Sequence, residues 1–177
     1  MKESIFHRLY DQYHQDVFQF LVYLVKDRST AEDLSHEVYV RVLKAYERFQ
    51  GRSSEKTWLF AIAKNVAIDY FRKKAVRSSR SYTAFDWERE QLVSPVKSPE
   101  AFIELNDELR HLLEALEKCT GDQQLVIILR YFQELSIAET AAILNWTEGK
   151  VKTTQHRAIK QLRELLSNKK EANQYES

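Results

Sequence analysis

Apolar residues recur at three- and four-residue intervals along most of the chain, beginning with Ile5, Leu9, Tyr13, Val17, Phe20 and Leu24. That spacing gathers them on one face of a long α-helix. Polar residues from Asp27 to Thr30 interrupt the stripe. A second set, Ala31, Leu34, Val38, Val42 and Ala45, predicts a helix over about residues 30–48 and leaves Asp33, Glu37, Val40 and Lys44 on its far side. The polar run after Phe49, with one glycine, one arginine and two serines, predicts a loop. Beyond it Leu59, Ile62, Val66 and Tyr70 mark the inward face of a helix over residues 54–74, with Phe60, Lys64, Asn65, Ile68, Phe71 and Arg72 around its remaining surface. No apolar period survives over residues 83–99, where Ser94-Pro95 and Ser98-Pro99 also steer the chain away from helix. The pattern resumes with Leu105, Leu109, Leu112, Leu113 and Leu116.

The most informative segment is residues 136–158, SIAETAAILNWTEGKVKTTQHRA. Ile137, Ala141 and Leu144 define one short helix, and the small Ala142 suits the close passage of a second. Asn145 stands where a helix C-terminus needs left-handed backbone, and Thr147 is placed to cap a helix starting near Glu148. On that second helix Val151, Ala158, Leu162 and Leu165 face one way, while Lys150, Thr153, Arg157 and Lys160 face the other. Cations neutralise phosphates, and threonine and arginine reach base edges in a major groove. The pattern is that of a DNA-binding helix-turn-helix; the plainer alternative is an amphipathic hairpin with a solvated basic face.

Three glycines and two prolines in 177 residues are too few for a turn-rich β protein, so an all-α fold follows. Two small helical domains joined by a flexible linker are expected: residues 1–82, an acidic linker over 83–106, residues 107–170, and a disordered tail over 171–177. Cys119 is alone, which removes disulfides and cysteine-rich zinc sites and fits a reducing cytoplasm. No stretch approaches the roughly 20 apolar residues of a membrane helix, and Lys2 and Glu3 follow Met1, so a soluble cytoplasmic protein without signal peptide or membrane insertion is expected.

A net charge of +1 by itself argues weakly against a nucleic-acid binder, but its distribution is uneven. Residues 41–80 carry Arg41, Lys44, Arg48, Arg52, Lys56, Lys64, Arg72, Lys73, Lys74, Arg77 and Arg80 against Glu47, Glu55 and Asp69. Cations interleaved with Trp58, Phe60 and Phe71 suit single-stranded DNA, whose bases stack on rings while its phosphates attract charge; the same rings also suit a core. A different chemistry is hinted at by Asp33-x-x-His36 and Glu108-x-x-His111, which imitate the carboxylate-histidine pairs of a di-iron helical bundle. Both histidines fall away from the apolar stripes of their helices, which counts against a buried metal. No nucleophile-base set or phosphate-binding glycine loop is visible, so neither an enzyme nor a cofactor is expected.

Three segments in order resemble the extracytoplasmic-function (ECF, group IV) class of the sigma-70 family. AEDLSHEVYVRVLKAY at residues 31–46 resembles region 2.2, TWLFAIAKNVAIDYFRKK at 57–74 resembles regions 2.3 to 2.4, and residues 122–166 resemble region 4. Ala84-Phe85-Asp86-Trp87-Glu88 and the VKTTQHR run at 151–157 are most similar to the sigma-X group of Bacillus relatives. The resemblance implies a specificity subunit that brings core RNA polymerase to promoters by -35 binding and -10 melting. It implies docking on polymerase through Asp33, Leu34, Glu37 and Arg41, to which the helical wheel adds Val40. It places -10 DNA at Phe49, Gly51, Arg52, Ser53, Ser54 and Lys56, with Asn65, Arg72 and Lys73 beside them, and -35 DNA at Lys150, Thr153, Thr154 and Arg157, joined on the wheel by Lys160. A cognate anti-sigma factor, commonly membrane-anchored, is the further implied partner. Ser35-His36, Asn145, Lys150 and Thr154 depart from residues common at those positions, which leaves the promoter sequence open. A two-domain regulator binding duplex DNA without polymerase is the alternative within DNA binding.

Overall fold

The computed structural model describes residues 2–77 and 106–176, so residues 78–82 with Arg80, the acidic linker up to Leu105, its run at 84–88 and its Ser-Pro pairs lie outside the described residues. All regular elements among the described residues are helical: α1 (Lys2–Val25), α2 (Arg28–Ala45), α3 (Glu55–Arg77), α4 (Asp107–Leu116), α5 (Gly121–Ile127), α6 (Ile137–Leu144) and α7 (Glu148–Tyr175). A 3-10 turn (Tyr46–Arg48) follows α2, and a π-turn (Ile128–Phe132) extends α5.

Most helix starts are fixed by short polar side chains. Asp27 accepts from the Thr30 N–H at 3.1 Å, Ser54 from Thr57 at 3.1 Å, and Asn106 from Leu109 at 2.8 Å. Thr120 with Gln123 and Ser136 with Glu139 form reciprocal capping boxes on α5 and α6. Each such cap is worth about 1 kcal/mol, because it satisfies a backbone donor that the helix leaves unpaired.

In the N-terminal body α1 packs on α2 and α3, and α2 on α3. Leu9, Val17, Phe20, Leu21 and Leu24 from α1 meet Val38 and Val42 from α2 and Leu59, Phe60, Ala63 and Val66 from α3 in one core, with Phe20 and Phe60 edge to face at 5.5 Å. In the C-terminal body α4, α5 and α6 pack against α7. The bodies also touch: α3 lies against α6, Tyr23 meets Phe132 at 4.6 Å between centroids, and the Gln133 amide donates to the Asp16 carbonyl at 3.4 Å.

Lys26 sits in the seam between them. It ends α1 in left-handed backbone (φ 55°), is only 1% exposed, and places Nζ 3.4 Å from the Glu117 carboxylate. Burial pulls the Lys26 ammonium below its usual value, and Glu117 opposes that pull. The neighbouring Cys119 thiol is pushed up to about 11 by burial, so it is an inert core group.

The structure decides one open choice and corrects one expectation. Phe60 and Phe71 are 0% and 5% exposed, because α3 is covered by α1, α2 and α6 and therefore buries more than one face. An interleaved cation-aromatic surface on α3 is thus lost at these two rings. The C-terminal residues 171–175 continue α7 where a disordered tail is expected: helix formers carry the helix on, and Lys169 pairs back to Glu114 of α4.

Candidate nucleic-acid interface

The helix-turn-helix is built as its residues dictate. Asn145 adopts φ 57° and ψ 45° at the end of α6, and the Trp146 N–H returns to the Ala141 carbonyl at 2.9 Å, which closes the helix and redirects the chain. Thr147 then accepts from the Lys150 N–H at 3.1 Å and starts α7. Val151, Ala158 and Leu162 are buried beneath the helix, and Lys150, Thr153, Arg157 and Lys160 are exposed on it, with Thr154 half-buried. At 1.5 Å rise per residue this outer row runs about 15 Å, the scale of a major-groove contact. Its seat is fixed by Arg130, which donates to Gln155 on α7 at 2.8 Å and to the Leu135 carbonyl at 2.5 Å, and by Gln161, which donates to the Lys118 carbonyl at 3.2 Å.

The second surface lies around residues 49–56. Gly51 has φ 69°, a conformation that costs an L side chain roughly 1 kcal/mol, so the glycine is needed for the turn even though open space surrounds its Cα. Gly51, Arg52 and Ser54 are exposed, and Phe49, Ser53 and Lys56 half-buried. Ser54 is also the α3 cap and donates to the Thr57 hydroxyl at 2.9 Å, so its oxygen is already engaged. Phe49 belongs to a ring cluster with Tyr46 and Trp58, at 6.2 Å and 5.0 Å between centroids. Along α3, Asn65 and Lys73 are exposed and Arg72 half-buried. Tyr46 is absent from the sequence-derived site, whereas Trp58 is among the rings the sequence offers for stacking; both are half-buried beside the loop, and aromatic spacing around residues 46–58 is the signal that marks them.

On α2, Asp33 and Glu37 are exposed while Leu34 and Val40 are half-buried. Arg41 is placed differently from a free docking residue: it donates to Glu37 at 3.1 Å and to Asp69 of α3 at 3.1 Å, tying two helices together. His36 lines an open cleft of about 340 Å³ between α1 and α2 with Phe6, Tyr10, His14, Phe18, Glu32, Ser35 and Tyr39. Among the described residues there is no cluster of three or more histidine, cysteine or carboxylate side chains able to hold a metal. No described helix is long and apolar enough to cross a membrane.

Comparison with known proteins places the chain in a family. Residues 9–77 match the Sigma-70 region 2 family and residues 115–164 match Sigma-70, region 4, one family for each body. The chain is 49% identical to the ECF RNA polymerase sigma factor SigX of Bacillus subtilis, over 93% of this chain and 84% of that protein. It is 32% identical to the RNA polymerase sigma factor YlaC of the same organism over 92% of each. Its fold is similar to that of the sigma factor RpoE of Bartonella quintana, solved in complex with the anti-sigma factor NepR, with a TM-score of 0.71, 25% identity and coverage of 92% of this chain and 96% of that one. Two matched sigma regions in order, together with a relative at 49% identity over most of both chains, make this chain a member of the sigma-70 family, an extracytoplasmic-function RNA polymerase sigma factor.

Proposed function

We propose that the two bodies divide promoter recognition between them, with α7 reading -35 duplex and the loop at residues 49–56 capturing unpaired -10 DNA. The exposed row of Lys150, Thr153, Arg157 and Lys160 on a capped, pinned helix is the observation that carries this division. Thr154 borders that row. Arg157 has the planar fork that pairs with a guanine edge, and the lysines supply point charges for phosphates.

At the other surface, Arg52 and Lys56 attract phosphates while Phe49, Tyr46 and Trp58 form an aromatic wall beside Gly51. A base taken from the stack loses a few kcal/mol, which the loop contacts offset without any nucleotide hydrolysis. The chain therefore contributes binding energy to melting and performs no covalent chemistry of its own. Asn65, Arg72 and Lys73 extend the same surface along α3.

Docking on core polymerase falls to Asp33, Glu37, Leu34 and Val40, an acidic and apolar strip on the outer side of α2. Arg41 acts one step behind them by holding Glu37 and the α2–α3 packing in place. The protein works in the cytoplasm with its polymerase and is restrained there by a protein anti-sigma factor; the family resemblance and the RpoE–NepR neighbour support that partner.

Transcription with core polymerase on a promoter library tests the division. Replacing residues 51–54 with those of a related factor is expected to change -10 preference and leave -35 preference intact. An unchanged -10 preference after a stable swap removes the loop from recognition, and a change in both preferences contradicts the division.

A further inference from the structure

Lys150 occupies a poor position for a cation. It stands three residues after the Thr147 cap, so its charge lies at the positive end of the α7 dipole, where Glu148 is the favourable kind of residue. A lysine there is also floppy, and fixing it on a ligand costs rotamer freedom. The Trp146 ring bears on both penalties. The Lys150 Nζ lies 4.1 Å from the centroid of Trp146, inside the roughly 6 Å range of a cation–π contact. Trp146 is itself half-buried and packed on the core. The left-handed turn at Asn145 and the bond from the Trp146 N–H to Ala141 fix its backbone.

We propose that Trp146 is a positioning residue for duplex binding, holding the Lys150 ammonium at the N-terminal end of α7 where it meets a backbone phosphate. The inference rests on the reading that α7 lies on duplex DNA. A phosphate suits this ammonium better than a base edge, because one side of the cation is taken by the indole and lysine lacks a bidentate fork. The start of a helix is also where backbone N–H groups already favour an anion. The contact sets the register of α7 in the groove and carries no sequence information of its own.

The test measures binding of the full chain to a labelled duplex of mixed sequence across a salt series, with thermal melting as the folding control. Trp146→Leu is expected to weaken binding about threefold, and Trp146→Phe to retain most of it. Lys150→Ala is expected to lower the salt slope by about one, equally on every sequence. In the Lys150→Ala background, Trp146→Leu adds no further loss. If Trp146→Leu does not fold, Trp146→Phe serves, with a smaller loss that appears only when Lys150 is present. Equal losses in both backgrounds would reduce Trp146 to a packing residue, and unchanged binding by a folded Trp146→Leu chain would overturn the proposal. Arg157→Ala, measured on a -35 duplex, separates the two levels: loss there with no effect at Trp146 defeats the positioning role alone, whereas no effect at Arg157, Lys150 or Trp146 removes α7 from DNA altogether.

Discussion

The two bodies bury their longest candidate DNA helices in opposite ways. In the C-terminal body α7 has one buried face and one exposed row, so helical spacing separates core residues from exposed ones cleanly. In the N-terminal body α3 is enclosed by α1, α2 and α6, and Phe60 and Phe71 join Leu59 and Val66 in the core. Its candidate DNA surface is accordingly narrower and leans on the preceding loop. A helix at the edge of a domain can give a whole face to a ligand; a central helix keeps only what its neighbours leave.

The contrast predicts different costs for substitutions at the two helices. Phe60→Ala is expected to be the most damaging, at about 4 kcal/mol of stability, since it opens a cavity against Phe20 in a close-packed interior. Chemical denaturation checks this, and a loss below about 1 kcal/mol would return Phe60 to the surface. Glu117→Gln comes next, at about 3 kcal/mol, because it leaves the Lys26 ammonium buried without its opposite charge. Lys26→Met in the same background should recover much of that loss, which the same denaturation experiment would show.

Arg157→Ala should leave the melting temperature unchanged and weaken -35 duplex binding by about 2 kcal/mol if the guanidinium reads a base. Binding isotherms on matched and mismatched duplexes check it, with relaxed sequence preference as the expected signature. A destabilised protein with unaltered preference would instead make α7 resemble α3.

The smallest expected effect is a pH dependence at the seam. Because burial lowers the folded-state value of Lys26, the unfolded chain binds the extra proton between that lowered value and 10.5. Stability from this group therefore rises as pH rises through that window. Melting temperatures of wild type and Lys26→Met should converge or cross in favour of wild type toward alkaline pH, and a widening deficit of wild type would contradict the assignment.

Much of this was legible from residue pattern, and the exceptions have physical causes. The Asn145 turn, the Thr147 cap and the two faces of α7 follow from local chemistry and a single amphipathic period, so the helix-turn-helix could be drawn residue by residue. Phe60 and Phe71 could not be placed, because their burial depends on packing from three other helices, information absent from a wheel of α3. Arg41 matches the docking motif, yet its bonds to Glu37 and to Asp69, 28 residues further on, are fixed only by the tertiary fold. The seam at Lys26 and Glu117 joins residues from different bodies and leaves no local trace either. Trp146 and Lys150, by contrast, lie four apart and their pairing was accessible to a closer look at the turn.

Open-complex formation by the reconstituted holoenzyme probes the division of labour most directly, with promoters that are either fully duplex or already mismatched at -10. A stable swap of residues 51–54 that impairs -10 capture should reduce open complexes strongly on the duplex and weakly on the mismatched template, while Arg157→Ala should reduce both through lost -35 binding. Equal losses on both templates from the loop swap, or rescue of Arg157→Ala by the -10 mismatch alone, would contradict the assignment of melting to the N-terminal body and duplex reading to α7.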